Sequence, residues 1–345
     1  MKEQIDNIIR VIDRANSRTI TVFGDYCLDK YLYIDPARDE PSLETGLTAY
    51  QADRKALYPG AGGTIVNNLR SLGAKVRCVG LVGDDGEGYE LLKSLERIGA
   101  DTSLMVRSAD IITNTYIKPM CKTQDGIYSE MNRLDIRNFS KMANNLQNKL
   151  LANLKKALND SQGIMILEQF TECNGSVVTE RTREELSLLA ECYPEKFFCA
   201  DSRGNAGRYR NMLIKCNHLE LPRVYNNGKQ DENCIVKQGM ALLRENGRAV
   251  IVTLGENGAY VFEKRAMFHI PAFQVKGPLD IVGAGDATNA GMILGLTLGL
   301  TLPEAVLLGG CVASITIQQL GVTGTATIEQ VRHRLMLLEN DVNNA

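Results

Sequence analysis

The chain has 345 residues, 44% hydrophobic and 23% charged, a globular composition with apolar mass enough for a large core. Its 39 basic and 41 acidic residues leave a net charge of −2 without any basic block or aromatic–basic stripe, so a nucleic-acid partner is excluded and a small-molecule partner expected. Nine cysteines stand at irregular spacing with no C-x-x-C pair, which fits reduced thiols in a cytoplasmic protein better than a disulfide framework or a zinc site.

The N-terminal MKEQIDNIIRVIDRA is charged and amphipathic, a surface helix without the apolar core of a signal peptide. Arg18 to Asp25 is a β-branched run ending in Gly-Asp, a strand that presents a carboxylate at its C-terminal end. Lys30 to Leu57 is polar, with short alternating runs and no helical period, and reads as strands and loops leaving the main sheet. PGAGGTIVNNLRSLGA, residues 59 to 74, puts glycines at a helix start, but no third glycine completes a dinucleotide-binding pattern. Lys75 to Gly83 is a further strand. The GDDGEG that follows is a structural turn into a helix, and residues 110 to 130 alternate again and return to the earlier excursion.

A helix pattern from Ser140 to Asn159, a buried strand at 163–168 (GIMILE), a second helix and the strand FFCADSRG (197–204) continue the alternation. AVIVTLGENGAYVFEK (249–264) reads as strand, glycine turn, strand. Ala290 to Leu308 is apolar, yet it holds glycines, threonines, Pro303 and Glu304, so two helices buried against a sheet are expected instead of a membrane span. Alternating strands and helices predict an α/β domain with a mostly parallel central sheet and helices on both faces. No linker or repeat divides residues 1–345, so a single domain is expected.

The chemistry concentrates in KGPLDIVGAGDATNAGMILGLTLGL, from Lys276. A turn of Gly283, Ala284 and Gly285 opens into a long apolar helix, leaving free N–H groups at the positive end of the helix dipole, where an anion is stabilised. Asp286 stands at its mouth, placed to take a proton from an attacking hydroxyl. The plainer alternative is a carboxylate that merely caps the helix.

GAGD, with Asp280 three residues before it, resembles the D-T-x-G-A-G-D motif of the ribokinase-like (PfkB) sugar kinases, with Ile281 where a small polar residue is common. GDYCLDKY and NRLD (132–135) resemble, most nearly in pattern, the heptose 7-phosphate kinase domain of ADP-heptose synthase. The resemblance runs over roughly residues 19 to 327 and implies a three-layer ribokinase-like sandwich with a small β lid at about 30–57 and 110–130. It implies that Asp25, Asp29, Gly62, Gly63 and Asn67 hold sugar hydroxyls and that Arg133 reaches substrate, a surface ion pair being the alternative for Arg133. Asn217 and Glu220, at N-x-x-E spacing, would serve magnesium and the phosphates. Thr253, Gly255, Gly258, Asp280 and Gly321 would line ATP, a plain hairpin being the alternative for TLGENGAY. ATP and Mg²⁺ are the implied cofactors, with a monovalent cation such as K⁺ optional, and a homodimer through the lid is the implied partner.

The expected activity is therefore ATP-dependent phosphorylation of a sugar or sugar-phosphate hydroxyl, with Asp286 as base and the N–H groups of Ala284 and Gly285 stabilising the γ-phosphate. A nucleoside kinase of the same fold and a catalytically silent sugar- or nucleotide-binding module are the rivals. A P-loop is absent. DSRG at 201–204 falls where the heptose kinases have Asp-Pro-Lys-Gly, and Arg203, with Arg208 and Arg210 close by, suits a substrate that already carries a phosphate; a solvated surface loop is the alternative.

Overall fold

The computed structural model describes residues 1–170, 175–221 and 231–343, with side chains through residue 338. Helix α1 (Lys2–Ile12) buries Ile5, Ile8 and Ile12 along one stripe. Next come β1 (Thr19–Gly24), β2 (Tyr26–Ile34), β3 (Glu40–Pro41), β4 (Thr48–Ala49), β5 (Ala52–Ala61) and α2 (Gly62–Ser71). They lead to β6 (Lys75–Val79), β7 (Leu81–Gly83), α3 (Gly86–Arg97), β8 (Val106–Ser108), β9 (Thr115–Lys122), β10 (Tyr128–Glu130) and β11 (Leu134–Ile136). The second half holds α4 (Asn144–Ala157), β12 (Gly163–Glu168), α5 (Glu180–Cys192), β13 (Phe197–Ser202), β14 (Leu213–Asn217) and α6 (Glu232–Asn246). It ends with β15 (Val250–Thr253), β16 (Ala259–Glu263), β17 (Ala266–Ile270), α7 (Ala284–Thr297), α8 (Leu302–Thr316) and α9 (Ile328–Asn343).

The main sheet has eight strands in the order β17-β16-β15-β14-β13-β12-β1-β6. From β6 to β15 neighbours run parallel, and β16 and β17 close the far edge antiparallel. Two apolar layers cover it: α1, α2, α7, α8 and α9 contribute to one, and α4, α5 and α6 to the other. Burial on both faces explains why β12 reads as a continuous apolar run. Helices α7 and α8 are apolar all round because they are buried all round. They pack backbone to backbone: a methyl on Gly291 would lie 2.8 Å from the Gly309 Cα. Among the described residues no helix is long and apolar enough to cross a membrane.

A five-stranded second sheet, β10-β9-β2-β5 with β11 also on β9, stands over the C-terminal edge of the first. It is larger than the expected lid, starting at Tyr26 and running to Ile136, so NRLD belongs to it. The difference has a physical cause: Tyr26 to Asp29 are buried, and the polar–apolar alternation that marks a one-sided strand begins only beyond them. The expected strand Lys75–Gly83 is divided at Gly80, where the ring of Tyr26 packs so close that a methyl would come within 2.5 Å of it.

Candidate active site

The site lies where parallel strands of the main sheet end beneath the lid, the edge at which open α/β sheets bind ligands. Gly283 adopts φ 80° as the N-cap of α7, a left-handed conformation suited to glycine, and so turns the chain into the helix. The N–H of Ala284 is spent on the carbonyl of Ile281 at 3.2 Å. The free donors are those of Gly285 and Asp286, neither of which bonds any described residue. The free N–H pair is thus shifted one residue along the turn from the expected Ala284–Gly285 pair. Lys215 faces it: a methyl on Gly285 would sit 3.0 Å from the Lys215 Nζ.

Lys215, at the end of β14, is held by Asp201 at the end of β13, Nζ to Oδ2 2.8 Å. Asn289 on α7 donates to the same oxygen at 2.6 Å. Both charges are buried, and the pairing keeps the lysine ammonium well above its usual range despite burial. Asp286 accepts no hydrogen bond from a described residue, so it is not spent as a cap. Burial first, then the charge of Asp201, push its pKa up to about 7, against the opposing pull of Lys215 and Arg203. A carboxylate poised near neutrality beside free N–H groups and an ammonium can accept a proton while an adjacent anion is stabilised.

Asn217 and Glu220 come together, but chiefly with each other. Asn217 Oδ1 accepts the N–H groups of Leu219 and Glu220 at 2.9 and 2.8 Å, and the Asn217 N–H donates to Glu220 Oε2 at 2.8 Å. The tetrapeptide is a reciprocal cap, so Asn217 positions Glu220 and its oxygen is committed to the backbone. Burial and the charge of Asp201 raise the Glu220 pKa, while Lys215 lowers it. Among the described residues no group of three His, Cys, Asp or Glu side chains is arranged to hold a metal directly. Glu220, with Asp201 and Asp286 acting on the same neighbourhood, nevertheless fits Mg²⁺ carried mainly by water and phosphate oxygens, which is how that ion prefers to bind.

Asp280 and Gly321, both expected to line ATP, meet each other: Asp280 Oδ2 accepts the Gly321 N–H at 3.2 Å and Oδ1 that of Val282 at 3.1 Å. Leu279, Ile281, Val282, Leu320 and Val322 are exposed around this contact. Thr253 donates to the Cys216 carbonyl at 3.4 Å, beside the Asn217 turn. Gly255 (φ 63°) has open space about it, whereas a side chain on Gly258 would collide with the Ile270 carbonyl, so Gly258 serves the hairpin.

The sugar side needs one correction. Asp25 is 1% exposed, and both its oxygens are taken by protein donors: the N–H groups of Gln169, Phe170 and Val177 at 2.8 to 3.0 Å, and the Ser176 hydroxyl at 2.7 Å. It anchors a loop and has no lone pair to offer a sugar. Asp29 faces the cleft instead; its charge raises the pKa of Asp286, and Gly60 lets it lie against the β5 backbone. Thr64 approaches the Gly283 turn, its methyl 3.3 Å from where a Gly283 side chain would stand; Asn67, farther along α2, is half-buried. Gly62 and Gly63 start α2 in close contact with the Asp25 carbonyl and with Pro59.

Arg133 forms a two-pronged pair with Asp135, at 2.6 and 3.0 Å, and lies over the Tyr116 ring at 4.5 Å. The ion-pair alternative is therefore formed, and the pair leaves Arg133 near enough to Asp29 to lower its pKa. Arg203 is exposed, and its charge acts on Asp286, Glu220 and Tyr116. Arg137 lies over Phe170 at 5.0 Å and also acts on Tyr116. Arg210 bonds the carbonyls of Gly207 and Tyr209 on the surface, and with it the loop reading holds there. Lys215, Thr64, Tyr116 and Lys118 escaped the sequence reading. A lysine inside each of the apolar runs LIKCN and YIKPM was the available signal.

The pfkB family carbohydrate kinase model matches residues 20–329. The bifunctional protein HldE of Helicobacter pylori strain Shi470 is 25% identical over 317 residues, 91% of this chain, which spans 65% of the length of that relative. Among solved structures, phosphofructokinase-2 of Escherichia coli in complex with potassium superposes with a TM-score of 0.73 at 17% identity, covering 93% of this chain and 99% of that one. Arabidopsis thaliana ribokinase complexed with ribose and ATP gives 0.67 at 15% identity, covering 92% and 98%. These likenesses show the ribokinase-like fold, and the family match the enzyme class, a phosphotransferase. The chain belongs to the pfkB family of carbohydrate kinases.

Proposed function

We propose that the chain transfers the γ-phosphoryl group of ATP to a hydroxyl of a sugar that already bears a phosphate. The observation that carries the phosphoryl-transfer step is Asp286, unbonded, with a pKa of about 7, beside the free N–H groups of Gly285 and Asp286 and the Lys215 ammonium. Asp286 takes the proton of the acceptor hydroxyl as its oxygen attacks phosphorus. The N–H groups and Lys215 stabilise the charge on the transferring group. Glu220 would hold Mg²⁺ through water, and the ion would supply neutralisation of phosphate charge. The ATP co-substrate rests on the Asp280–Gly321 contact and its apolar surround, and on the ATP in the ribokinase neighbour. A monovalent cation belongs to the same proposal, supported by the potassium of the phosphofructokinase-2 neighbour, as does a homodimer through the lid.

The phosphosugar assignment rests on three arginines, 133, 137 and 203, whose charges act at Tyr116 and Asp29. Guanidinium groups gathered at the non-reacting end of the cleft suit recognition of an anionic substrate group. An ADP-release assay over neutral sugars, sugar phosphates and nucleosides tests it. Turnover of a sugar phosphate is expected, with Arg203→Ala raising its KM about tenfold and leaving the ATP KM within about twofold. Efficient turnover of a neutral sugar that Arg203→Ala leaves unchanged overturns the phosphate assignment. Turnover of nucleosides alone overturns the sugar assignment.

A further inference from the structure

Asp29 lies on β2, and Lys118 lies diagonally across from it on β9, the register pairing Asp29 with Tyr116 and Tyr31 with Lys118. Diagonal neighbours on one sheet face are within reach of long side chains. The Lys118 Nζ is 3.5 Å from Asp29 Oδ1 and 3.0 Å from the Tyr31 hydroxyl, and 4.7 Å above the Tyr31 ring. Side-chain exposures are 8% for the lysine and 10% for the aspartate. An ammonium buried in a small sheet is costly, and apolar residues of like volume would hold the strands together at least as well. Fold stability therefore gives no reason for it. The pair stands beside the cleft, close enough to Asp286 for charge to be felt between the two aspartates.

We propose that Lys118 is a positioning residue that keeps the Asp29 carboxylate ionised and fixed, so that Asp29 can accept a hydrogen bond from a substrate hydroxyl. The inference rests on the sugar-kinase reading only for the identity of that hydroxyl. Around Asp29 the charged and titratable groups are Lys118 on β9, Arg133 between β10 and β11, Glu130 on β10, Cys27 and Tyr31 on β2, and Asp286 on α7. Burial raises the Asp29 pKa, and Lys118 is the largest opposing influence, ahead of Arg133. Without Lys118 the carboxyl takes up a proton at a higher pH. A neutral carboxyl then offers a weaker, misdirected acceptor.

Two measurements test this. In protein labelled with ¹³C at aspartate carboxyls, with Asp29→Asn identifying the signal, Lys118→Met should move the Asp29 titration upward by about one pH unit or more. Lys118→Arg should restore it. An unmoved titration in folded Lys118→Met protein overturns the proposal, whatever the enzyme phosphorylates. With a heptose 7-phosphate as probe, Lys118→Met should raise the sugar KM about tenfold at pH 6 and much less at pH 8, with the ATP KM steady within about twofold. A pH-independent loss, or one shared equally by ATP, assigns Lys118 a purely structural role and also overturns it. If the unaltered enzyme turns over no sugar phosphate, the substrate reading fails while the carboxyl titration still decides the role of Lys118.

Discussion

The floor of the sheet and the cleft above it both contain carboxylates that are buried or, for Asp286, half-buried, and treat them in opposite ways. On the floor, Asp25 accepts from Gln169, Phe170, Ser176 and Val177, and Glu168 from Arg183, Ser202, Asn205 and Tyr209 at 2.6 to 2.8 Å. In the cleft, Asp286 accepts nothing from a described residue, and Asp29 has one ion-pair partner at 3.5 Å. A carboxylate with few protein donors costs a fold stability where it is buried, as Asp29 is, and such groups cluster at functional sites; Asp286 is half-buried. Satisfaction by protein donors, not burial or position at a strand end, separates the anchoring carboxylates from those the proposed mechanism uses.

Asp286→Asn gives the sharpest test of that contrast. It should lower kcat by about 10²-fold or more, the usual worth of a positioned base. Because burial opposes ionisation at this site, removing the charge should leave the thermal midpoint unchanged or higher. Near-normal turnover in the folded variant would break the assignment, and so would a sharply lowered midpoint, which would place Asp286 among the anchors.

Asp25→Ala should do the reverse. It leaves several buried N–H donors and the Ser176 hydroxyl unpaired, and a stability loss of at least about 3 kcal/mol in denaturant unfolding is expected. Loss of sugar affinity with stability intact would return Asp25 to the cleft group.

That exchange of roles shows what the sequence could carry. The GAGD turn and its helix were legible because a glycine turn running into an apolar helix fixes an anion site by local geometry. The alternation of strands and helices, and with it the parallel sheet, was legible for the same reason. Asp25 was not: its donors lie 144 to 152 residues away in the chain, and no local pattern announces them. The Asn217–Glu220 spacing suits metal chemistry and a cap alike; here the cap is formed, and a metal role for Glu220 belongs to the proposed function.

pH should separate stability from activity within this one molecule. Asp286 and Asp25 have folded pKa values of about 7 and about 6 against 3.8. A group raised on folding lends stability that is complete below its unfolded pKa and lost as pH climbs through the folded one, so both contributions disappear between about pH 4 and pH 7. Over the upper part of that range kcat/KM should climb as Asp286 ionises, levelling above about pH 7. The rising limb should vanish in Asp286→Asn while the stability profile keeps the share due to Asp25. A limb that survives in that variant would assign the titration to another group.

The smallest effect concerns the joint between the two regions. Ala61, the last residue of β5 and the N-cap of α2, has φ 52° and ψ −120°, a conformation glycine adopts easily and alanine does not. Such a residue stores about 1–3 kcal/mol, and it persists only where its surroundings hold it. Here they do: Gly60 presses on Asp29 on one side, Gly62 on the Asp25 carbonyl on the other, and Ala61 is 9% exposed. Ala61→Gly relieves the strain but gives the unfolded chain more freedom, worth about 0.5–1 kcal/mol in the opposite direction. A net gain of about 1 kcal/mol, or roughly 1–3 °C in thermal midpoint, is expected. A lowered midpoint would mean that the alanine methyl packs against the lid strongly enough to outweigh its backbone strain, and the joint would then be a packing contact between floor and lid, not a strained hinge.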